Sequence, residues 1–327
     1  MSSGVFFVPA TVNQVTSIYR RVRFRWYLQL HRSVPIHLLR ATEKKSQLDM
    51  PSTPSFVALG HLTFDVNIVD SGTPTSHIPG GAAAYAALTA HKHDISVGVV
   101  SSAGDDYPVD LILKEIDVQI VESEHTATFA NYYDSGDRTQ VLMASGNRIP
   151  QSAIPESWVE PDILFVGPLL HEIPTDCVNW FNPKLSCLVP SGWLRRWGPD
   201  GAISHADMLP RFRGKKWDII VVSESEIETL PEQQLFDLGD IVCVTRGEKG
   251  SRIWHEGTWV EVPVVYSNPV DFTGAGDIWA TAFAIAISES QPIAQAGLYA
   301  ATASAIAIES TGLSGCPSRE QIQARLG

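Results

Sequence analysis

From Ser55 onward, short apolar runs rich in β-branched residues alternate with longer segments of helical character. That rhythm marks an α/β fold built on a mainly parallel sheet. The spacing predicts strands over Ser55–Leu59 and Ile95–Val100, with the Ala-rich stretch Gly81–His91 as the helix between them. Asp162–Val166, Leu185–Val189, Trp217–Val222 and Asp240–Thr245 are apolar runs of strand length, each followed by polar or turn residues, as in buried parallel strands. Arg252–Trp254 and Thr258–Val264 are expected to pair antiparallel around His255-Glu256-Gly257, and two long helices should follow from about Gly276 and Pro292. No internal repeat or low-complexity stretch interrupts the pattern.

Two segments break the rhythm: Phe64–His77, and Thr126–Met143, where Phe129, Tyr132 and Tyr133 sit among polar residues. Both read as strands with one wet face. Strands that leave a core sheet and carry exposed aromatics often cover a site, so a small β lid is expected, with an ordinary surface hairpin as the alternative. An exposed lid edge would also allow pairing between subunits, which makes a homodimer a candidate assembly.

Composition narrows the class. With 327 residues, 44% of them hydrophobic, the chain can bury a large core in one or two domains. The cysteines, Cys177, Cys187, Cys243 and Cys316, form no CxxC pair and have no neighbouring His at metal-ligand spacing, so they read as reduced core thiols. No run approaches eighteen apolar residues, and the net charge of −12 argues against nucleic-acid and membrane-surface partners. The charge is uneven: residues 1–49 carry eight Lys or Arg against Glu43 and Asp49, a balance of +6, which leaves −18 for the rest. A basic, acid-poor leader with one short amphipathic stretch at Ile18–Leu30 has the composition of an organelle transit peptide. The expectation adopted is instead a poorly ordered extension over residues 1–50, or a start at Met50, followed by one catalytic domain over 51–327 in a cytoplasmic protein.

The chemistry concentrates in Asp271-Phe272-Thr273-Gly274-Ala275-Gly276-Asp277, directly before the apolar helix Ile278–Ile287. Small residues at 274–276 let a ligand approach the backbone, and the free N–H groups at a helix start attract an anion such as phosphate. Asp277 reads as a helix cap or as a general base beside that phosphate. The P-loop string GxxxxGK[ST] is absent, as is the GxSxG elbow of a hydrolase. A dinucleotide fingerprint would need Gly or Ala where Trp279 stands and would lie near the first strand.

This seven-residue string resembles the C-terminal signature of the PfkB, or ribokinase-like, carbohydrate kinases, and other segments follow in that family's order over roughly residues 55–325. The resemblance implies a three-layer α/β/α sandwich with a mainly parallel sheet and a small β lid. It also implies ATP as co-substrate, Mg²⁺, and a small polyol acceptor. Asp277 would be the base, with the Gly274, Ala275 and Gly276 amides stabilising the transferred phosphoryl group beside Thr273. Asp65 would bind substrate hydroxyls against the Gly80-Gly81 backbone, and Arg195 would lie near the phosphate. Glu226 would sit near Mg²⁺, with Ser223 standing where the family usually has Asn. Thr245-Arg246-Gly247 and Gly250 match the nucleotide loop, with Arg246 in reach of a phosphate. Gly312 and Ser314–Pro317 resemble the loop over adenine, whereas Asp105 and Asp106 read as a solvated pair. Gly192-Trp193 before Arg195 most resembles the inositol-kinase-like members; Tyr85, where ribokinases have Asn, weakens ribose as acceptor and reads as core packing. The rival classes are a nucleoside kinase of the same fold and a non-catalytic nucleotide-binding scaffold.

Overall fold

A computed structural model describes residues 53–68, 77–134, 137–205, 215–228 and 231–327. The basic leader, the Met50 start, residues 69–76 of the expected lid and the Tyr133 side chain lie outside them. In chain order the strands are β1 (Phe56–Leu59), β2 (Thr63–Ile68), β3 (Ile78–Gly80), β4 (Val97–Ala103), β5 (Asp117–Glu122), β6 (Ala127–Asp134), β7 (Asp137–Ala144), β8 (Ile163–Val166), β9 (Leu185–Leu188), β10 (Arg195–Trp197), β11 (Ile203–His205), β12 (Trp217–Ser223), β13 (Gly239–Thr245), β14 (Ser251–His255) and β15 (Thr258–Val262). The helices are α1 (Ala82–His91), α2 (Val109–Ile112), α3 (Glu232–Phe236), α4 (Ala275–Ser288), α5 (Ile293–Ala307) and α6 (Arg319–Leu326).

The main sheet runs β15-β14-β13-β12-β9-β8-β1-β4-β5. From β13 to β5 every pairing is parallel, while β14 and β15 close one edge antiparallel. Strand alternation sorts the core into two faces. Phe56, Ala58, Phe165, Ile219 and Val221 pack with the residues of α1, α4 and α5. Val57, Leu59, Leu164, Ile220 and Val242 face the other way, toward Trp158, Trp193, Trp217 and Phe181. That second layer is built largely from short 3₁₀ turns and loops, with α3 as its helix. Helix α1 is almost wholly buried because alanines let it lie close to the sheet, and α4 buries nine residues from Ile278 to Ala286. The turn at Glu256-Gly257, both with positive φ, joins β14 to β15 where the sequence places it.

A second sheet, β3-β2-β6-β7, forms the small lid. One expectation about it needs correcting. Phe129 is not an exposed lid aromatic: it is 2% exposed and clusters with Ala127 and Leu170. Asp65, its partner on β2, and Asn131, two residues along β6 on the same face, are buried as well, so that face of the sheet is covered rather than wet. The four cysteines are free and buried, and among the described residues no helix is long and apolar enough to cross a membrane.

Candidate active site

In a parallel sheet the ligand crevice lies beyond the carboxyl ends of the strands. Here β1, β8, β9, β12 and β13 all end at that edge, delivering Gly60, Gly167, Val189, Glu224 and Arg246 as the first loop residues. The candidate residues gather there from both halves of the chain.

The N-cap of helix α4 is Gly274, which takes the left-handed conformation at φ 77°. A Cβ at this position would lie 2.4 Å from the Tyr85 ring, so glycine is required by the backbone and by the neighbour alike. The loop before it is tied by Asp271, whose carboxylate accepts from the amides of Thr273 (2.9 Å) and Gly312 (3.0 Å). The Thr273 hydroxyl is buried with no protein partner. Ala275 turns its amide back to the Phe272 carbonyl at 3.3 Å, which leaves the next amides of the first turn without intrahelical acceptors. Gly276 has open space where its side chain would be.

Asp277 stands in the first turn of α4. Part of its surface reaches solvent, but protein surrounds the carboxyl closely enough that burial pushes its pKa up to about 7. The Arg195 guanidinium pulls the other way, and the nearby carboxylates of Glu226 and Asp65 push it up further. Residues 65, 195 and 226, drawn from three separate segments, thus each act electrostatically on Asp277. Arg195 opens β10, donates to the Leu169 carbonyl at 3.0 Å and lies over the Phe129 ring of the lid, 5.5 Å from its centroid.

Asp65 is 6% exposed on β2. The Asn131 amide of β6 donates to its Oδ1 at 2.9 Å and to Asn67 Oδ1 at 3.0 Å, while Gln140 of β7 donates to Asn131 at 2.9 Å. Gly80 presses on the same group, since a methyl there would sit 3.0 Å from Asp65 Oδ2. Gly81 then leads into α1 at φ 107°. The sequence reading missed Asn131; its signal was the alternation that sets Asn131 on the same face as Phe129. Tyr85 packs in the core as expected, at 2% exposure, directly beneath Gly274, and its hydroxyl has no partner. Gly312 stands near Ile78 of β3 and the Tyr85 hydroxyl.

Ser223 and Glu226 form a capping box: the Glu226 amide donates to Ser223 Oγ at 3.3 Å, and Glu226 Oε2 accepts from the Ser223 amide at 2.8 Å and hydroxyl at 2.9 Å. The serine therefore orients the carboxylate. Thr245 donates its hydroxyl to the Val222 carbonyl at 3.3 Å. Gly247 and Gly250 shape the turn into β14, and Arg246 is paired with Glu261 of β15 and with the Lys249 and Ser251 carbonyls. Asp105 and Asp106 are exposed, with Asp106 accepting from Thr126 at 2.5 Å.

Residues 194–320 match the model of the pfkB family carbohydrate kinases. The "Putative sugar kinase PH1459" of Pyrococcus horikoshii is 30% identical over 298 residues, covering 81% of this chain and 93% of that protein. The chain belongs to the pfkB carbohydrate kinase family. A cytidine kinase of Thermococcus kodakarensis is 25% identical over 258 residues, 72% of this chain and 90% of its own. The ribokinase structure from Thermotoga maritima shares the fold with a TM-score of 0.65 at 22% identity, covering 84% of this chain and 99% of its own. An inositol 3-kinase and ribokinases match over similar lengths, so no acceptor class is singled out.

Proposed function

We propose that the protein transfers the γ-phosphoryl group of ATP to a hydroxyl of a small polyol, a sugar or an inositol. The observation that carries this reading is Asp277: a carboxyl held at about 7, partly open to the crevice, at the mouth of a helix whose first amides favour an anion. The acceptor hydroxyl would lie between Asp277 and Asp65. Asp65, fixed by Asn131, takes hydrogen bonds from neighbouring acceptor hydroxyls and orients the ring. As the oxygen attacks, Asp277 removes its proton, and the amides beyond Gly274, with Arg195, meet the charge on the phosphoryl oxygens. The lid's packed inner face keeps water from competing as acceptor.

Among the described residues no three His, Cys, Asp or Glu side chains converge to hold a metal unaided. Mg²⁺ keeps waters and phosphate oxygens and takes one or two carboxylates. Glu226, oriented by Ser223, would supply one, and the ion would neutralise phosphate charge.

Pyrophosphate is a donor to weigh, because a pyrophosphate-dependent kinase in the ribokinase family shares the fold with a TM-score of 0.69. ATP is favoured by the segment entering α4, where Val264, Tyr266, Val270 and Phe272 are 55–79% exposed and offer apolar area to a base. Inositol as acceptor rests on the Gly192-Trp193 turn ahead of Arg195. The test is ADP release from ATP, or orthophosphate release from pyrophosphate as alternative donor, by the full chain with Mg²⁺ against sugars, inositols and nucleosides. Acceptor-stimulated release by a polyol is expected; release stimulated by nucleosides alone would replace the acceptor class, and none with any acceptor would leave the scaffold reading. Asp65→Asn should raise the acceptor KM roughly thirtyfold, the loss of a charge-assisted hydrogen bond, while leaving the KM for ATP in place.

A further inference from the structure

Glu172 is 3% exposed, a carboxylate buried at the carboxyl edge of the sheet in a segment to which the reaction above gives no role. It accepts from three backbone amides: Leu169 at 2.9 Å and His61 at 3.3 Å on Oε1, and Leu170 at 2.9 Å on Oε2. His61, also buried, stands 3.9 Å away through Nδ1 while its Nε2 meets the Asn147 carbonyl at 2.8 Å. A buried carboxylate is costly unless its acceptor capacity is filled. Here it is filled by the loop after β1 and the turn after β8, which it draws together.

That turn is joined in its turn to the segment bearing Arg195. Gly192 donates its amide to the Pro168 carbonyl at 2.8 Å and approaches so closely that a Cβ would lie 2.4 Å from the Leu170 carbonyl oxygen. Trp193 donates its indole N–H to the Ile173 carbonyl at 2.8 Å, and His171 Nε2 contacts the Arg195 carbonyl at 3.0 Å. The guanidinium itself is held by the Leu169 carbonyl, whose own amide is bound by Glu172. We propose that Glu172 is a positioning residue, which fixes the 168–172 turn and through it aims the Arg195 guanidinium at the phosphoryl group beside Asp277. This rests on the phosphotransfer reading above and adds to it a residue remote from the reacting atoms.

The test compares wild type, Glu172→Gln, Arg195→Gln and the double variant by steady-state kinetics across pH. Arg195 opposes the upward push on Asp277 from burial, from Glu226 after β12 and from Asp65 of β2, so misaiming it should move the acid limb of kcat to higher pH. Glu172→Gln should lower kcat about a hundredfold, the cost of an ångström-scale misplacement, with the acceptor KM nearly unchanged. The double variant should be no worse than Arg195→Gln alone, because both act through one guanidinium. An unmoved acid limb, a loss confined to the acceptor KM, or losses that multiply in the double variant would overturn the proposal. Should Glu172→Gln fail to fold, Glu172→Asp keeps the charge, shortens its reach and is read by the same criteria. A wild-type chain inactive with every acceptor overturns the phosphotransfer reading. In that case the Asp277 titration, followed by carboxylate NMR, decides the Glu172 role by whether Glu172→Gln shifts it upward.

Discussion

Asp277→Asn is expected to lower kcat about a thousandfold, the middle of the range for loss of a general base, while the folded protein becomes more stable. The two effects have one cause. Burial raises the carboxyl from the ordinary 3.8 to about 7, so the folded state binds a proton more tightly than the unfolded chain. Stability then falls as pH rises from about 4 to about 7, where the unfolded chain has released the proton that the native state still holds. Asparagine resembles the protonated acid in size and polarity. The Tm gain of the variant should therefore be small near pH 4 and reach its full value above pH 7, which calorimetry of the two proteins across that range measures. Wild-type kcat should fall tenfold per pH unit below about 7. A variant with native turnover, or a Tm difference that does not grow with pH, would remove Asp277 from the base role.

Six parallel strands of the main sheet were legible because each is buried on both faces and so writes a near-continuous apolar run, as in Ile219–Val222 and Ile241–Val244, whereas the edge strand β5, half exposed, writes no such run and was missed. The GAGD helix start was legible for a related reason: Gly274, Asp277 and the apolar run after them are contiguous, so local chemistry identifies an anion site. Partners set by long-range pairing were not. Asn131 meets Asp65 across 66 residues, and Glu172 meets the His61 amide across 111. A polar residue in a strand or turn looks solvated until the pairing register turns it inward, and one sequence does not state the register. Phe129 failed for the same reason. Its polar neighbours suggested exposure, but the β2–β6 pairing sets it opposite Asp65 on the packed face. The role of Ser223 was hidden in the same way, because the capping box that orients Glu226 is visible only once the β12 end and the 3₁₀ turn are joined.

Gly274→Ala and Gly276→Ala should separate what the protein demands of this loop from what its ligand demands. At Gly274 an alanine incurs about 1–2 kcal/mol for the left-handed conformation alone. Its methyl would also lie within 2.4–2.5 Å of three atoms of the Tyr85 ring, which is itself enclosed and has no free direction in which to give way. The variant should lose on the order of 3 kcal/mol of stability and most of its turnover, since either the ring or the first turn of α4 must shift. Gly276 has no positive φ and no protein atom within 4 Å of an added Cβ, and it lies inside a helix where alanine is favoured by up to ~1 kcal/mol. Gly276→Ala should leave Tm level or raise it. Its open space is useful only if something from outside fills it, so the same variant should raise the KM for ATP at least tenfold. A Gly276→Ala protein that is stable and binds ATP normally would mean that the phosphates do not settle over this turn, and the anion site would have to be sought elsewhere along the sheet edge.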